Sequence, residues 1–284
     1  MTRRLVLTAD DLGREAGSTD TIVELATQGL ITATTLIPVS EHSADAAARA
    51  RAAGIEPRLH VTLSSERGLP PWRPLSGATL SGATLSGATS ITAPDGRLHD
   101  DPLLLGATGE AADVAVEIEA QVQWMLDHGL HPTGLDSHAG TLYGLHGRSW
   151  VTEALAVCAR HSLGFRLPRH PALYFGGELP ADLAAAHETA VAAADALSVR
   201  LPAAIATNRQ TAAELGSYEA LRDHYLRLLG ALPEGTSEVF LHPAPENAVA
   251  GADSVTRVWE LRLLGDPVFA NAIDAEGLIL AAQW

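Results

Sequence analysis

Two adjacent aspartates, Asp10 and Asp11, stand where a short apolar run, Leu5-Val6-Leu7, breaks into the turn-like stretch Thr8-Ala9-Asp10-Asp11-Leu12-Gly13. The run is too short for a helix and predicts a buried strand, so the acid pair falls at its carboxyl end, where open and barrel α/β folds build their sites. Two further short runs carry imidazoles: His60 lies within Arg58-Leu59-His60-Val61-Thr62-Leu63, and His138 ends Thr133-Gly134-Leu135-Asp136-Ser137-His138. One carboxylate and two imidazoles from three strand ends form a divalent-metal set with positions left for water or substrate. The second acid of the pair can then serve as a base, which is the arrangement metal-assisted hydrolysis needs. Asp11 is accordingly the expected ligand and Asp10 the expected base, with an exchange of the two roles left open.

Each of these residues has a plainer reading. Asp10-Asp11 reads equally as an Asx turn capping the next helix, although two neighbouring carboxylates repel unless a cation lies between them or one is protonated. His60 shares a strand face with Thr62 and opposes Leu59 and Val61, as a hydrogen-bonded core histidine also would. His138 could belong to a polar strand-end loop, with Asp136 orienting an imidazole from behind. Their common position, in successive strand-helix units, favours the joint reading. His242 ends the apolar run Val239-Phe240-Leu241, is followed by Pro243, and is the expected general acid, because an imidazole titrates near neutrality. Arg166, in Phe165-Arg166-Leu167-Pro168, is the expected substrate ligand for a carbonyl, carboxylate or sugar hydroxyl, against a surface ion pair. His42, His99, His128, His146 and His224 read as solvated, as do Asp182, His187, Glu188 and Asp195 on an Ala-rich helix. Trp72 reads as an apolar anchor, with stacking on a sugar ring as its alternative.

The elements that must position these groups follow from periodicity. Strand Leu5–Thr8, a helix over 18–28, a strand over 34–38, a helix over 43–53 and the His60 strand give the βαβ rhythm of a parallel sheet. The rhythm resumes after 110 with a helix over 111–127, the His138 strand, a helix over 148–161 and a strand over 164–167. A helix over 211–229, the strand Glu238–Leu241, a helix over 255–264 and an apolar run over 278–281 complete it. Seven or eight strands alternating with helices predict one α/β domain spanning 1–284, a TIM-like β/α barrel that is seven-stranded or irregular. Residues 64–110 interrupt the rhythm as an insertion containing three copies of Leu-Ser-Gly-Ala-Thr, at 75, 80 and 85. Three copies are too few to stack a repeat core, so a lid or a disordered loop is expected there.

Composition narrows the partners. Against 34 acidic residues the chain has 19 Lys+Arg, and a formal charge of -15 disfavours binding to nucleic-acid phosphates or anionic lipid. A hydrophobic content of 46% argues against wholesale disorder. The single cysteine, Cys158, sits in an apolar helical run and reads as core. No secretory h-region and no membrane span are legible, so the expected location is cytoplasmic.

The motifs Leu7-Thr8-Ala9-Asp10-Asp11-Leu12-Gly13, Leu30-Ile31-Thr32-Ala33-Thr34-Thr35-Leu36, Leu59-His60-Val61-Thr62-Leu63, Asp136-Ser137-His138 and Leu241-His242-Pro243, closed by Arg257-Val258-Trp259-Glu260-Leu261, resemble in order the YdjC-like carbohydrate deacetylases, the chitooligosaccharide and hopanoid-associated group. The resemblance implies a β/α barrel, one magnesium or zinc ion on Asp11, His60 and His138, and Asp10 as base. The sequence departs from the family pattern at Ala139-Gly140 after His138, at Arg58 and Ala244 where the family has glycines, and in the repeat insertion. The resulting expectation is a metal-dependent hydrolase that removes an acetyl group from an N-acetylated sugar or related small amide. Its partner would be a small carbohydrate, with no nucleic acid or membrane, and with a homodimer left open. Hydrolysis of another amide or ester, and a non-catalytic sugar- or metal-binding protein, are the alternatives.

Overall fold

The computed structural model describes residues 2–77, 79–80, 83–84, 89–246, 248 and 254–284. In chain order the elements are β1 (Arg3–Leu12), α1 (Ala16–Thr27), β2 (Ala33–Leu36), α2 (Ser43–Ala52), β3 (Arg58–Val61), β4 (Thr79–Leu80), β5 (Ala83–Thr84), α3 (Pro102–Thr108) and α4 (Ala111–Asp127). Then follow β6 (Gly134–Ser137), α5 (Val151–His161), β7 (Gly164–Phe165), α6 (Ala172–Phe175), α7 (Ala181–Ala196), β8 (Ile205–Ala206), α8 (Ala212–Leu215), α9 (Tyr218–Ala231), β9 (Gly235–Leu241), α10 (Ser254–Leu264), α11 (Pro267–Ala275) and β10 (Ile279–Leu280). The main sheet runs β7-β6-β3-β2-β1-β9-β8, every pairing parallel, with β10 beside the start of β1. Between β7 and β8 the gap is spanned by extended chain: Phe165 N–H donates to Arg200 O at 2.9 Å, and Ala203 N–H to Thr236 O at 2.8 Å. The result is the expected single-domain β/α barrel in its seven-stranded, irregular form. Among the described residues no helix is long and apolar enough to cross a membrane.

Several local expectations shift. The helix expected over 211–229 is two, α8 and α9, separated where Gly216 adopts φ +79°. Strand β8, two residues long, lacks the periodicity that would reveal it. The insertion at 64–110 is anchored to the barrel: Trp72, Ile91, Leu98 and Leu105 all join the core. Trp72 is therefore the apolar anchor. Leu75 and Ser76 N–H donate to Glu117 of α4 at 3.0 and 2.8 Å, and Ser90 N–H to Asp113 at 2.7 Å, so both stems of the repeat are tied to one helix. Residues 78, 81–82 and 85–88 of the repeat lie outside the described residues, and the expected lid with them, while Thr79–Leu80 and Ala83–Thr84 pair as an antiparallel ribbon. Cys158 is core as expected, its thiol pushed up by burial.

The barrel interior explains why the site residues sit on strands. Side chains alternate along a strand, so one face of each of β1, β3, β6 and β9 points inward. Those faces carry Thr8 and Asp10, Arg58 and His60, Asp136, and Glu238 and Phe240. A buried charge must be paired to be tolerated. Arg166, 4% exposed on its side chain, binds both Asp10 oxygens at 2.6 and 2.8 Å and Glu238 at 2.8 Å, and also touches Asp136. Below it Arg58 pairs with the same Glu238, and Trp284 Nε1–H donates to Glu238 Oε2 at 2.6 Å while its ring lies 4.5 Å from the Arg58 guanidinium. Phe240 covers the Arg166 guanidinium at 4.6 Å.

Two outcomes follow. Glu117→Ala removes the buried acceptor of two backbone N–H groups and should lower stability by about 1–3 kcal/mol in urea unfolding; an unchanged midpoint would show that the stem bonds are dispensable. Arg166→Met leaves buried carboxylates unpaired and should cost about 3–5 kcal/mol near neutrality. Burial alone would raise the Glu238 carboxyl, but Arg166 and Arg58 hold it below its usual range. Its contribution is thus present above the unfolded value of about 4.3 and is lost as pH falls through the folded one. The gap between wild type and Arg166→Met should therefore narrow below about pH 4; an equal gap at pH 7 and pH 3 would remove the carboxylates as its cause.

Candidate active site

At the carboxyl ends of the strands opens a cleft of about 870 Å³ whose lining includes Asp10, Asp11, His60, His138, Arg166 and His242. All six expected functional side chains therefore meet in one place. Adjacent strand residues point to opposite faces, so Asp10 and Asp11 would normally diverge. They converge because the β1–β2 register slips between Ala9 and Leu12 and Asp11 takes φ +76°, a left-handed conformation that costs a non-glycine residue roughly 1–3 kcal/mol. Asp11 Oδ1 lies 3.4 Å from His60 Nε2 and 3.5 Å from His138 Nδ1, and the three donor atoms fall within 4.8 Å of one another. Donors bound at 2.0–2.2 Å to a common tetrahedral ion stand roughly 3.3–3.6 Å apart, so the cradle has the dimensions of a divalent-cation site.

The donors' other contacts agree. Asp11 Oδ1 is buried with no hydrogen-bond partner, whereas Asp11 Oδ2 accepts from Arg257 at 2.6 Å. An orphaned carboxylate oxygen is costly unless a cation meets it. His60 Nδ1 lies 2.7 Å from Asp136 Oδ1, which fixes its ring and turns Nε2 toward Asp11. His138 Nε2 lies 3.1 Å from Glu66 Oε1, outside hydrogen-bond geometry, and the Trp72 ring meets the His138 ring edge-on at 5.7 Å. A second buried group, Asp10, His60 and Asp136, has similar spacing. There Arg166 already supplies the positive charge: it holds both oxygens of Asp10 and pairs with Asp136 Oδ2, and Thr35 Oγ1–H donates to Asp10 Oδ1 at 2.8 Å. In the first group Arg257 meets Asp11 Oδ2 and leaves Oδ1 to the two imidazoles.

The charges reinforce this division. Against burial, Asp136 and the neighbouring aspartates push His60 up to about 10, so positive charge is favoured at that spot whichever cation supplies it. Burial opposes ionisation of Asp10 and Asp11, yet Arg166 holds the first and Arg257 the second well below the usual carboxylate range. Glu66, opposed by burial, is drawn down to about 2 by His138 and Arg14. His242 Nε2 faces Asp10 Oδ2 at 4.0 Å from across the cleft.

Arg166, expected to meet substrate, lines the cleft but directs its guanidinium nitrogens at Asp10, Asp136 and Glu238. His187, expected on a solvated face, is instead half-buried against the cleft with Nε2 2.7 Å from Pro168 O, because α7 folds over the cleft. His128, also expected to be solvated, is half-buried and stacks on Trp124 at 3.8 Å. Glu66, Arg257, Thr35 and Glu260 were not singled out as site residues. No short-range pattern marks them, although Arg257 and Glu260 lie in the closing motif that carries the family resemblance.

A family model described as YdjC-like protein matches residues 4–275. Among solved structures, a "putative cellobiose-phosphate cleavage protein" from Enterococcus faecalis V583 is 21% identical, covers 99% of this chain over 97% of its own, and superposes with a TM-score of 0.74, which shows a shared fold. A family 4 carbohydrate esterase from Streptomyces lividans in complex with acetate aligns over 98% of this chain and 92% of its own, at 13% identity and a TM-score of 0.46, too loosely to bear on the site. With the match running from β1 through α11 and taking in every residue that lines the cleft, the chain belongs to the YdjC-like family.

Proposed function

We propose that this chain is a divalent-metal-dependent hydrolase that removes an acetyl group from an N-acetylated sugar. The observation that carries the reading is the orphaned Asp11 Oδ1 set against two imidazole nitrogens at the floor of a wide cleft, with a buried carboxylate and an imidazole flanking it. Asp11 Oδ1, His60 Nε2 and His138 Nδ1 would hold the ion. A divalent ion there polarises an amide carbonyl, lowers the pKa of water and stabilises the charge that develops on oxygen.

The remaining work falls to the chain's own groups. Asp10, kept ionised by Arg166, accepts the proton of the attacking water, and the bidentate clamp fixes which carboxylate edge faces the cleft. The clamp lowers its basicity, which the acidity that a bound ion would lend the water would offset. His242, on the opposite wall, delivers a proton to the leaving amine. Asp136 holds the His60 ring in the tautomer whose Nε2 lone pair faces Asp11. The cleft exceeds one sugar ring in size, and Tyr143, Tyr174 and Phe240 line it. Family membership supports a carbohydrate substrate and the donor set supports magnesium or zinc.

Metal analysis of His60→Ala and His138→Ala should show loss of bound divalent ion, and full occupancy in both would end the assignment. Asp10→Asn should retain metal and fold but release acetate from N-acetylated sugars about 10²-fold more slowly or worse, the scale of general-base contributions. Near-normal turnover in Asp10→Asn would take it out of the mechanism. Wild-type protein that binds metal yet releases acetate from no member of a panel of N-acetylated mono- and oligosaccharides would overturn the reading as a sugar deacetylase.

A further inference from the structure

His242 is held from behind by a buried group that the proposed reaction does not use. Glu260 of α10 is 3% exposed and its Oε2 accepts the His242 backbone N–H at 2.7 Å, while the same oxygen lies 4.0 Å from His242 Nδ1. The other oxygen accepts Tyr225 O–H at 2.6 Å, and the Tyr225 oxygen in turn accepts the Asn208 backbone N–H at 3.2 Å. Burial raises the Glu260 carboxyl, and the facing His242, the Tyr225 O–H, the His242 N–H and Arg257 oppose this by favouring the ionised form, an acceptor on both oxygens. The imidazole thus stands between two buried carboxylates, Asp10 on its Nε2 side and Glu260 on its Nδ1 side, each at 4.0 Å. Phe240 meets the ring edge-on at 5.9 Å and limits its rotation. Asp11 of β1 also acts on the imidazole, and Arg257 of α10 acts on Glu260.

We propose that Glu260, fixed by Tyr225, is a positioning residue for His242 that keeps a proton on Nδ1 and so assigns proton delivery to Nε2. The inference rests on His242 being the acid of the proposed reaction. As the C–N bond breaks, the electron pair stays on nitrogen and takes the Nε2 proton, while the Nδ1 proton remains beside Glu260. The neutral imidazole left behind is then the Nδ1–H form. Without an anionic acceptor behind it, the ring would be free to carry its proton on either nitrogen. At 4.0 Å the Nδ1 contact is longer than a hydrogen bond, and such catalytic contacts commonly tighten only in the substrate complex. Asn208 and Arg209 both line the cleft, so the Tyr225 link also ties this support to the wall that substrate touches.

Glu260→Gln preserves size and an acceptor for the His242 N–H but removes the charge. In the zinc-loaded protein it should leave metal content and melting temperature near wild type, leave KM within about twofold, and lower kcat about 10- to 100-fold, part of the 10²- to 10⁴-fold that a placed acid supplies. Glu260→Asp should recover part of that loss. Histidine ¹⁵N resonances, with His242 identified by His242→Gln, should show Nδ1–H as the neutral form in wild type and a shift toward Nε2–H in Glu260→Gln. Wild-type Nε2–H, or unchanged kcat and tautomer in Glu260→Gln, would overturn the inference. If Glu260→Gln fails to fold, Tyr225→Phe takes its place, with the same ¹⁵N shift and a smaller loss of kcat expected and no change in either as the refuting result. If the wild type cleaves no acetamide, the tautomer comparison alone decides the positioning role, so the two readings fail separately.

Discussion

Everything in the site depends on a guanidinium buried inside the barrel. A β/α barrel of this size ordinarily fills its interior with branched apolar side chains, whereas here the inward faces bring Asp10, Asp136 and Glu238 together around Arg166. Three carboxylates that close could not all stay ionised in a dry interior. Arg166 suits them because its planar fork donates in several fixed directions and remains charged. Glu238 shares part of its charge with Arg58 on the layer beneath, and Trp284 satisfies its other oxygen. Such a network is a weak source of net stability, since desolvation opposes the Coulomb gain. Its effect is geometric: it orients Asp10 toward the cleft and Asp136 toward His60.

The same constraint explains what the sequence disclosed. Leu5-Val6-Leu7, Arg58–Leu63 and Glu238–Leu241 are short, continuously apolar or alternating, and end in residues with chemistry, so both strand and site were legible together. Asp10, Asp11, His60, His138, Arg166 and His242 line the cleft, with Asp136 behind His60, because a parallel barrel places all its strand ends on one side. Partners were not legible. Nothing near Arg166 in sequence announces Asp10, which is 156 residues away, and Glu66 reaches His138 from a connection that carries no periodic signal. The insertion at 64–110 reads from sequence as a lid or a disordered loop for a similar reason: Trp72, Ile91, Leu98 and Leu105 are scattered singly, and their burial appears only once the chain is folded. Strand β8 is too short to carry a pattern, and α7 shows no polar face, so the placement of His187 against the cleft could not be read from it.

Two adjacent acids with different tasks pose a problem that the backbone solves. On a regular strand one of them would point away from the barrel, and on a regular turn both would be solvated. The slip in register after Ala9 and the left-handed Asp11 bring the second side chain round beside the first at a local conformational cost. Their partners then separate them chemically. Asp10 is fixed and kept ionised by Arg166 and Thr35, with Oδ2 still turned toward His242, while Asp11 is held on one oxygen by Arg257 and presents the other to two imidazoles. An oxygen already held by a guanidinium is poorly placed to bind a further cation, whereas Asp11 Oδ1, facing two imidazoles, is open to one. The division of labour proposed for the pair thus follows from which neighbour each acid has, and the left-handed backbone of Asp11 is the structural means by which two like charges come to serve one cleft.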